Sequence, residues 1–554
     1  MANPPSGPNN EVEADMAGFE RLGTWARQRL TREGASPDGV GRGVSWRGVS
    51  WGGPPRRPTG FWPVPWRRIG AIFLVTSVGT ATGSLATVSV AGAQPVTPPT
   101  TTAPAPPAYD PATDVNSMAS TTAYMGAPTF WNAGITGRGV DVAVIDSGVL
   151  PVAGLDGPDK IVYGPDLSFE SQNSDLRNLD TFGHGTFIAG LIAGHDGGLV
   201  APYSSAPASQ YRGVAPDARI VSLKVATADG GVDVSQVIAA IDWVVQHRND
   251  AGLNIRVLNL SYSLNSAQDY LVDPLAFAVE QAWNAGIFVV ASSGNAGYVN
   301  KNKGSGNIGM PARDPFVVAV GASDAAGTRD TRDDGVPSFS SSGGNARRND
   351  LVAPGSHLQG LRVAGSYIDT NHPEGRLGDR YFRGSGTSQA AAMLAGAAAL
   401  VVQQRPTITP SQLKRMLVKT TVHLKKYPPE LLGKGEVDLD AAFAAVSKED
   451  DSNHKAGTGN GSLELARGTE HVTDGNVSLT GEQDIFGQPF NSAAMAALEA
   501  ARASWTGGTW NGTEWTGTDW TTGWSGPAWS GRSWTGRSWT GRSWTGRSWT
   551  GRSW

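Results

Sequence analysis

Val140-Asp141-Val142-Ala143-Val144-Ile145 runs directly into Asp146-Ser147-Gly148-Val149. A short, largely apolar run that ends on a carboxylate and a glycine turn reads as a buried strand with the acid at its carboxyl end. Four more runs share this character: Ile220-Val221-Ser222-Leu223-Lys224-Val225, Val257-Leu258-Asn259-Leu260, Ile287-Phe288-Val289-Val290-Ala291 and Phe316-Val317-Val318-Ala319-Val320. Helical stretches lie between them at 233–248 and 273–285. In the first, Val237, Ile238, Ile241, Val244 and Val245 recur at the spacing of one helix face. Strand and helix in alternation predict an α/β domain over 115–446, in three layers, with a mainly parallel central sheet covered on both faces. In open sheets of this kind, ligands and catalytic groups collect beyond the carboxyl ends of the strands, where Asp146 falls.

Outside this domain the chain changes character. Gly (72) and Pro (35) make up about a fifth of the 554 residues, which points to linkers and low-complexity sequence. Residues 1–66 carry no sustained apolar period and read as disordered. At 67–93, Arg67 and Arg68 precede an uncharged stretch ending in Ala91-Gly92-Ala93. This pattern predicts a secretory signal cleaved after Ala93, with a signal anchor as the alternative. The long leader ahead of it is unusual, and Met16 or a later codon is an alternative start. Residues 94–114 form a Pro/Thr-rich linker. Residues 447–503 open on Lys448-Glu449-Asp450-Asp451 and read as a linker or accessory segment, with a helix candidate at 491–503. Residues 504–554 are a Trp-rich repeat.

The net charge of −4 gives no electrostatic footprint for nucleic acid. The absence of cysteine excludes disulfides, a thiol nucleophile and thiolate-bound metals. Three segments carry possible chemistry. Asp146 closes a strand. His184 lies between glycines in Asp180-Thr181-Phe182-Gly183-His184-Gly185-Thr186. Ser388 lies in Gly384-Ser385-Gly386-Thr387-Ser388-Gln389-Ala390, where a Gly/Ser turn enters an Ala-rich helix. Free N–H groups at a helix start favour a developing negative charge. Taken singly, each has a plainer reading: Asp146 as a turn aspartate, His184 as a structural histidine, Ser388 as an ordinary cap.

Together, in the order Asp, His, Ser, they match one chain order of the serine-nucleophile triad. Over about 120–445 the chain resembles the subtilisin-like serine peptidases, the subtilases. Further segments agree in order: Gly137-Arg138-Gly139-Val140, Gly213-Val214-Ala215-Pro216, Ala291-Ser292-Ser293-Gly294-Asn295-Ala296-Gly297, Ser338-Phe339-Ser340-Ser341-Ser342-Gly343, Val352-Ala353-Pro354-Gly355 and Gly433-Lys434-Gly435-Glu436-Val437-Asp438. The resemblance implies a secreted serine endopeptidase, extracellular or envelope-associated, acting as a monomer on protein or peptide substrates. Ser388 would be the nucleophile, His184 the base, Asp146 its orienting partner and Asn295 an oxyanion donor. Ser261 would lie on the edge that pairs with substrate. No cofactor and no metal are expected.

Four departures accompany the resemblance. Gln389 and Ala392 stand where the family usually has Met and Pro, and loss of the proline is expected to loosen the first turn of the nucleophile helix. Ser261-Tyr262-Ser263-Leu264 replaces the common Ser-Leu-Gly-Gly, and Tyr262 together with the missing glycines is expected to narrow or reshape the pocket. No calcium-loop pattern is evident in 191–212, and 94–115 leaves no room for the usual folded pro-domain. A competing reading is a surface binding protein on a catalytically weak subtilase scaffold.

In the repeat, Trp recurs at 505, 510, 515, 520, 524, 529, 534, 539, 544, 549 and 554. A five-residue step scatters the rings around a helix and alternates them along a strand, so neither gathers them on one face. The expectation is a flexible tail whose exposed Trp and Arg side chains bind a cell-envelope polymer.

Overall fold

The computed structural model describes residues 108–517 apart from 251, 327, 329, 345–346 and 447–453. The readings of 1–66 and 67–93, most of the 94–114 linker, and the repeat beyond 517 lie outside the described residues. Among the described residues, no helix is long and apolar enough to cross a membrane.

Seven parallel strands form the central sheet: β1 Asp141–Asp146, β2 Ile161–Asp166, β3 Arg219–Lys224, β4 Ile255–Leu260, β5 Phe288–Ser292, β6 Val318–Ser323 and β7 Leu351–Pro354. Their spatial order is β2-β3-β1-β4-β5-β6-β7. The expected α/β class is the observed one, and all five expected strands are present. The two that the sequence pattern did not single out are the edges. Half-exposed β2 contains Gly164-Pro165, and β7 is four residues long and ends at Pro354; proline is tolerated at such edges because fewer ladder bonds are required of them. Asp141, the charge inside the first apolar run, is held by a fork from Arg219 on the neighbouring strand (2.7 and 2.6 Å).

β1, β5 and β6 are buried at every residue, so helices must cover both faces. They do so as two packed pairs. One is α1 His184–Ala193 with the Ala-rich α4 Thr387–Gln404; the other is α2 Val234–His247 with α3 Pro274–Asn284. α2 begins at a reciprocal cap between Asp233 and Gln236, and α3 begins at Asp273 followed by Pro274, as their sequences dictate. β1 lies between β3 and β4, so successive connections leave it in opposite directions. The carboxyl ends of β1 and β4 therefore flank a topological switch point.

The 454–503 stretch packs as α5 Leu463–Arg467, a hairpin pairing 473–474 with 477–478, and α6 Ser492–Ala500, the last within the helix candidate at 491–503. The flexible-tail expectation is corrected at its start. The start of the Trp repeat is folded as well. Three two-residue strands, β8 Trp505–Thr506, β9 Thr509–Trp510 and β10 Thr513–Glu514, make an antiparallel meander. The turn at Gly507-Gly508 sets Trp505 opposite Trp510, and cross-strand partners face the same side. The odd five-residue step, which alternates along a straight strand, is thus cancelled by the hairpin. Both rings are buried against α2. The Trp505 indole donates to Ala239 O (2.9 Å), and the Trp510 indole donates to Asp242 Oδ2 (2.9 Å).

Candidate active site

Asp146 ends β1 and is fully buried. Its Oδ1 accepts from the Ser147 backbone N–H (2.8 Å) and lies 2.6 Å from His184 Nδ1. A carboxylate only accepts, so Nδ1 is assigned the proton and Nε2 becomes the basic nitrogen. His184 opens α1 behind Gly183, whose φ of +99° favours glycine. Gly185 is needed for contact: a Cβ there would fall 2.1 Å from Gly148 O. This close approach brings the imidazole against the end of β1.

Asp180 fixes the same corner. Its Oδ1 accepts from Gly183 N–H (2.7 Å) and Ser147 Oγ (2.8 Å), and its Oδ2 accepts from Thr186 N–H (2.7 Å). Sequence reasoning assigned Asp180 no role. The available signal was its position at the head of the glycine-flanked histidine segment. Burial pushes its carboxyl upward, and the bonds from Thr186, Gly183 and Ser147 oppose that shift.

Register pairs Val144 of β1 with Asn259 of β4, so Asp146 and Ser261 come side by side as the two strands end. Ser388 reaches this point as the second residue of α4. Its Oγ lies 3.4 Å from Ser261 O, while Ser261 Oγ donates to Ser388 O (3.2 Å) and accepts from Asn259 Nδ2 (2.9 Å). Asn295 follows β5 across Gly294. Its Oδ1 accepts from the Thr387 N–H (2.9 Å) and the Thr387 hydroxyl (3.0 Å). With Oδ1 so engaged, the amide turns Nδ2 toward Gly386, where a Cβ would lie 3.4 Å away.

The structure thus joins Asp146 to His184 by a hydrogen bond, Ser388 to Ser261, and Asn295 to the residue before Ser388. An apolar recess adjoins His184, lined by Phe187, Leu361, Ile368 and Phe382. The arrangement offers a buried hydroxyl at a helix start, an oriented imidazole and amide donors nearby. That set suits attack on a carbonyl with stabilisation of the resulting oxyanion. Among the described residues, no group of three possible protein ligands could hold a metal ion.

Two expected departures resolve differently. Tyr262 does not enter the cleft; it is buried in the body, its hydroxyl in the field of Asp233, Glu470 and Arg467. Ser263, at one of the missing-glycine positions, packs against two glycines: a Cβ at Gly294 or Gly309 would meet its Oγ at 2.9 or 2.2 Å. The first turn of α4 is helical despite Ala392. Gln389 is fully buried beneath Gly384 and Gly386, and neither end of its amide has a hydrogen-bond partner among the described residues.

The Subtilase family profile matches residues 137–461. The chain is 35% identical over 312 residues to Serine protease AprX of Bacillus subtilis (strain 168), covering 55% of this chain and 66% of AprX. It is 32% identical over 320 residues to Subtilisin Savinase of Lederbergia lenta, covering 57% of this chain and 95% of Savinase. A solved structure described as a cold adapted subtilisin-like serine proteinase shares 28% identity at a TM-score of 0.39, covering 55% of this chain and 88% of that one.

Proposed function

The chain belongs to the subtilase family, and on that premise we propose that it is a secreted serine endopeptidase working through Asp146, His184, Ser388 and Asn295. Ser388 Oγ attacks the scissile carbonyl as His184 Nε2 takes its proton. His184 then returns that proton to the leaving amine. Asp146 holds the imidazole tautomer and stabilises its charged form. The Asn295 amide and the Ser388 N–H receive the oxyanion. Substrate lies as an added antiparallel strand along 261–264. The observation that carries this reading is the 2.6 Å bond between His184 Nδ1 and Asp146, made at the switch point to which Ser388 is also delivered. A non-catalytic binding scaffold has no need of a buried, oriented histidine there.

The basic pair, apolar run and small-residue ending at 67–93 support export with cleavage after Ala93. The Trp and Arg side chains of the 504–554 repeat that follow the meander support a tether to an envelope polymer. The direct experiment is hydrolysis of a chromogenic peptide by wild type and Ser388→Ala. Ser388→Ala should lower kcat by about 10⁴-fold or more while keeping the native circular dichroism spectrum. Undiminished hydrolysis by the variant contradicts the assignment.

A further inference from the structure

Beyond β4 the chain continues as 261–268. Near the nucleophile this stretch is held on one side by paired backbone bonds between Leu264 and Met310 (2.8 and 2.7 Å). At its far end another part of the chain takes over. The Ala267 N–H donates to Leu465 O (3.0 Å). Gln268 and Ser462 exchange two bonds, Nε2 to the Ser462 carbonyl (2.8 Å) and the Ser462 N–H to Oε1 (3.0 Å). Gly468, at φ +63°, lies so close that a Cβ there would fall 2.1 Å from the Asn265 carbonyl oxygen.

Arg467 pins this contact. It is fully buried. Its guanidinium donates to Asp233 through Nε (2.6 Å), to the Gly481 carbonyl (2.7 Å), to Glu464 (3.3 Å) and to the Gln483 carbonyl. Asp233 is also the cap of α2, so the fork ties 462–471 to a rigid element. Leu463, Ala466 and Val472 are buried beneath it. The guanidinium is committed to protein partners, which makes it an anchor and not a ligand site.

We propose that 462–471, anchored by Arg467, is the outer wall of the peptide groove, positioning the far half of the 261–268 edge and so setting the grip on long substrates. This rests on the peptidase reading. Asn265 is four residues beyond Ser261, roughly 13 Å at about 3.3 Å per residue. A substrate paired along this edge must therefore extend about four residues on the acyl side of the scissile bond before the wall affects it. Arg467 is a positioning residue, and its effect depends on substrate length.

The test uses the full chain with Arg467→Ala and, as a variant that keeps the charge, Gly468→Ala. Substrates are p-nitrophenyl acetate and p-nitroanilide peptides of one to six residues. The expected result is a loss of about tenfold in kcat/KM on the six-residue substrate, carried by KM, with ester and dipeptide rates within about twofold of wild type. An equal loss at every length, or none at any, overturns the proposal. If neither variant folds, hydrogen exchange on wild type decides. A hexapeptide boronic acid should slow exchange at 465–470 as well as at 261–264, whereas protection confined to 261–264 overturns the wall. Wild type that cleaves neither ester nor peptide would instead refute the peptidase reading.

Discussion

The cleft at the ends of β1 and β4 and the C-terminal wrap at 454–517 are both buried and hydrogen-bonded, yet they were unequally visible in the sequence. The cleft is written in local motifs because its chemistry needs particular residues in particular settings: an acid ending a strand, a histidine between glycines, a serine opening a helix. The wrap is written in partners far along the chain. Arg467 meets Asp233 across 234 residues, and Trp505 meets Ala239 across 266. No local period carries that information. A repeat poor in aliphatic residues resembles a disordered tail until a hairpin brings its rings to one side and α2 offers a face to cover.

The two regions should therefore fail differently. Asn295→Ala should lower kcat by about 10²–10³ with little change in KM, because the amide is wanted only as the oxyanion forms. Its stability should fall only by about 1–3 kcal/mol, the cost of leaving the buried Thr387 donors without this acceptor. An Asn295→Ala enzyme that loses stability and not rate would erase the contrast from the cleft side.

Trp510→Ala should do the reverse. Removing a buried indole costs about 3–5 kcal/mol of stability, read from urea unfolding. Hydrolysis of p-nitrophenyl acetate should be unchanged. If the variant unfolds like wild type, the meander contributes nothing and the tail begins at 504 after all.

A smaller effect comes from pH. Asp242 receives the Trp510 indole and faces Glu499 of α6, with Ser504 beside it. Burial pushes the Asp242 carboxyl up to about 7 from its ordinary 3.8. For an acid whose pKa is raised by folding, the contribution to stability is complete below the unfolded value and is lost as pH rises through the folded one. Stability carried by this group should thus decline between about pH 4 and 7. Asp242→Asn should flatten that decline in melting temperature. An unchanged slope would show that the group titrates normally.

The sequence made most of the framework legible. All five internal strands and the two framing helices are legible in it, and it singles out Asp146, His184 and Ser388 by motif and Ser261 and Asn295 by resemblance. Edges β2 and β7 were missed because short or proline-containing edge strands lack a continuous apolar run. Asp180 leaves little trace in the sequence because two of its three donors are backbone N–H groups, which no side-chain pattern records. The expectation for Tyr262 rests on the departure from Ser-Leu-Gly-Gly, and a residue-type comparison does not say which way the ring turns; the ring is buried in the body.

The central claim is that Ser388 is a nucleophile activated by His184 and Asp146. A fluorophosphonate reacts with a serine only when its hydroxyl is activated in this way. The purified full chain should be incubated with such a probe at pH 8, digested and mapped by mass spectrometry, beside His184→Ala treated identically. The account predicts one adduct, on Ser388, abolished in His184→Ala. An unlabelled wild-type protein, or an adduct on another residue, would contradict it.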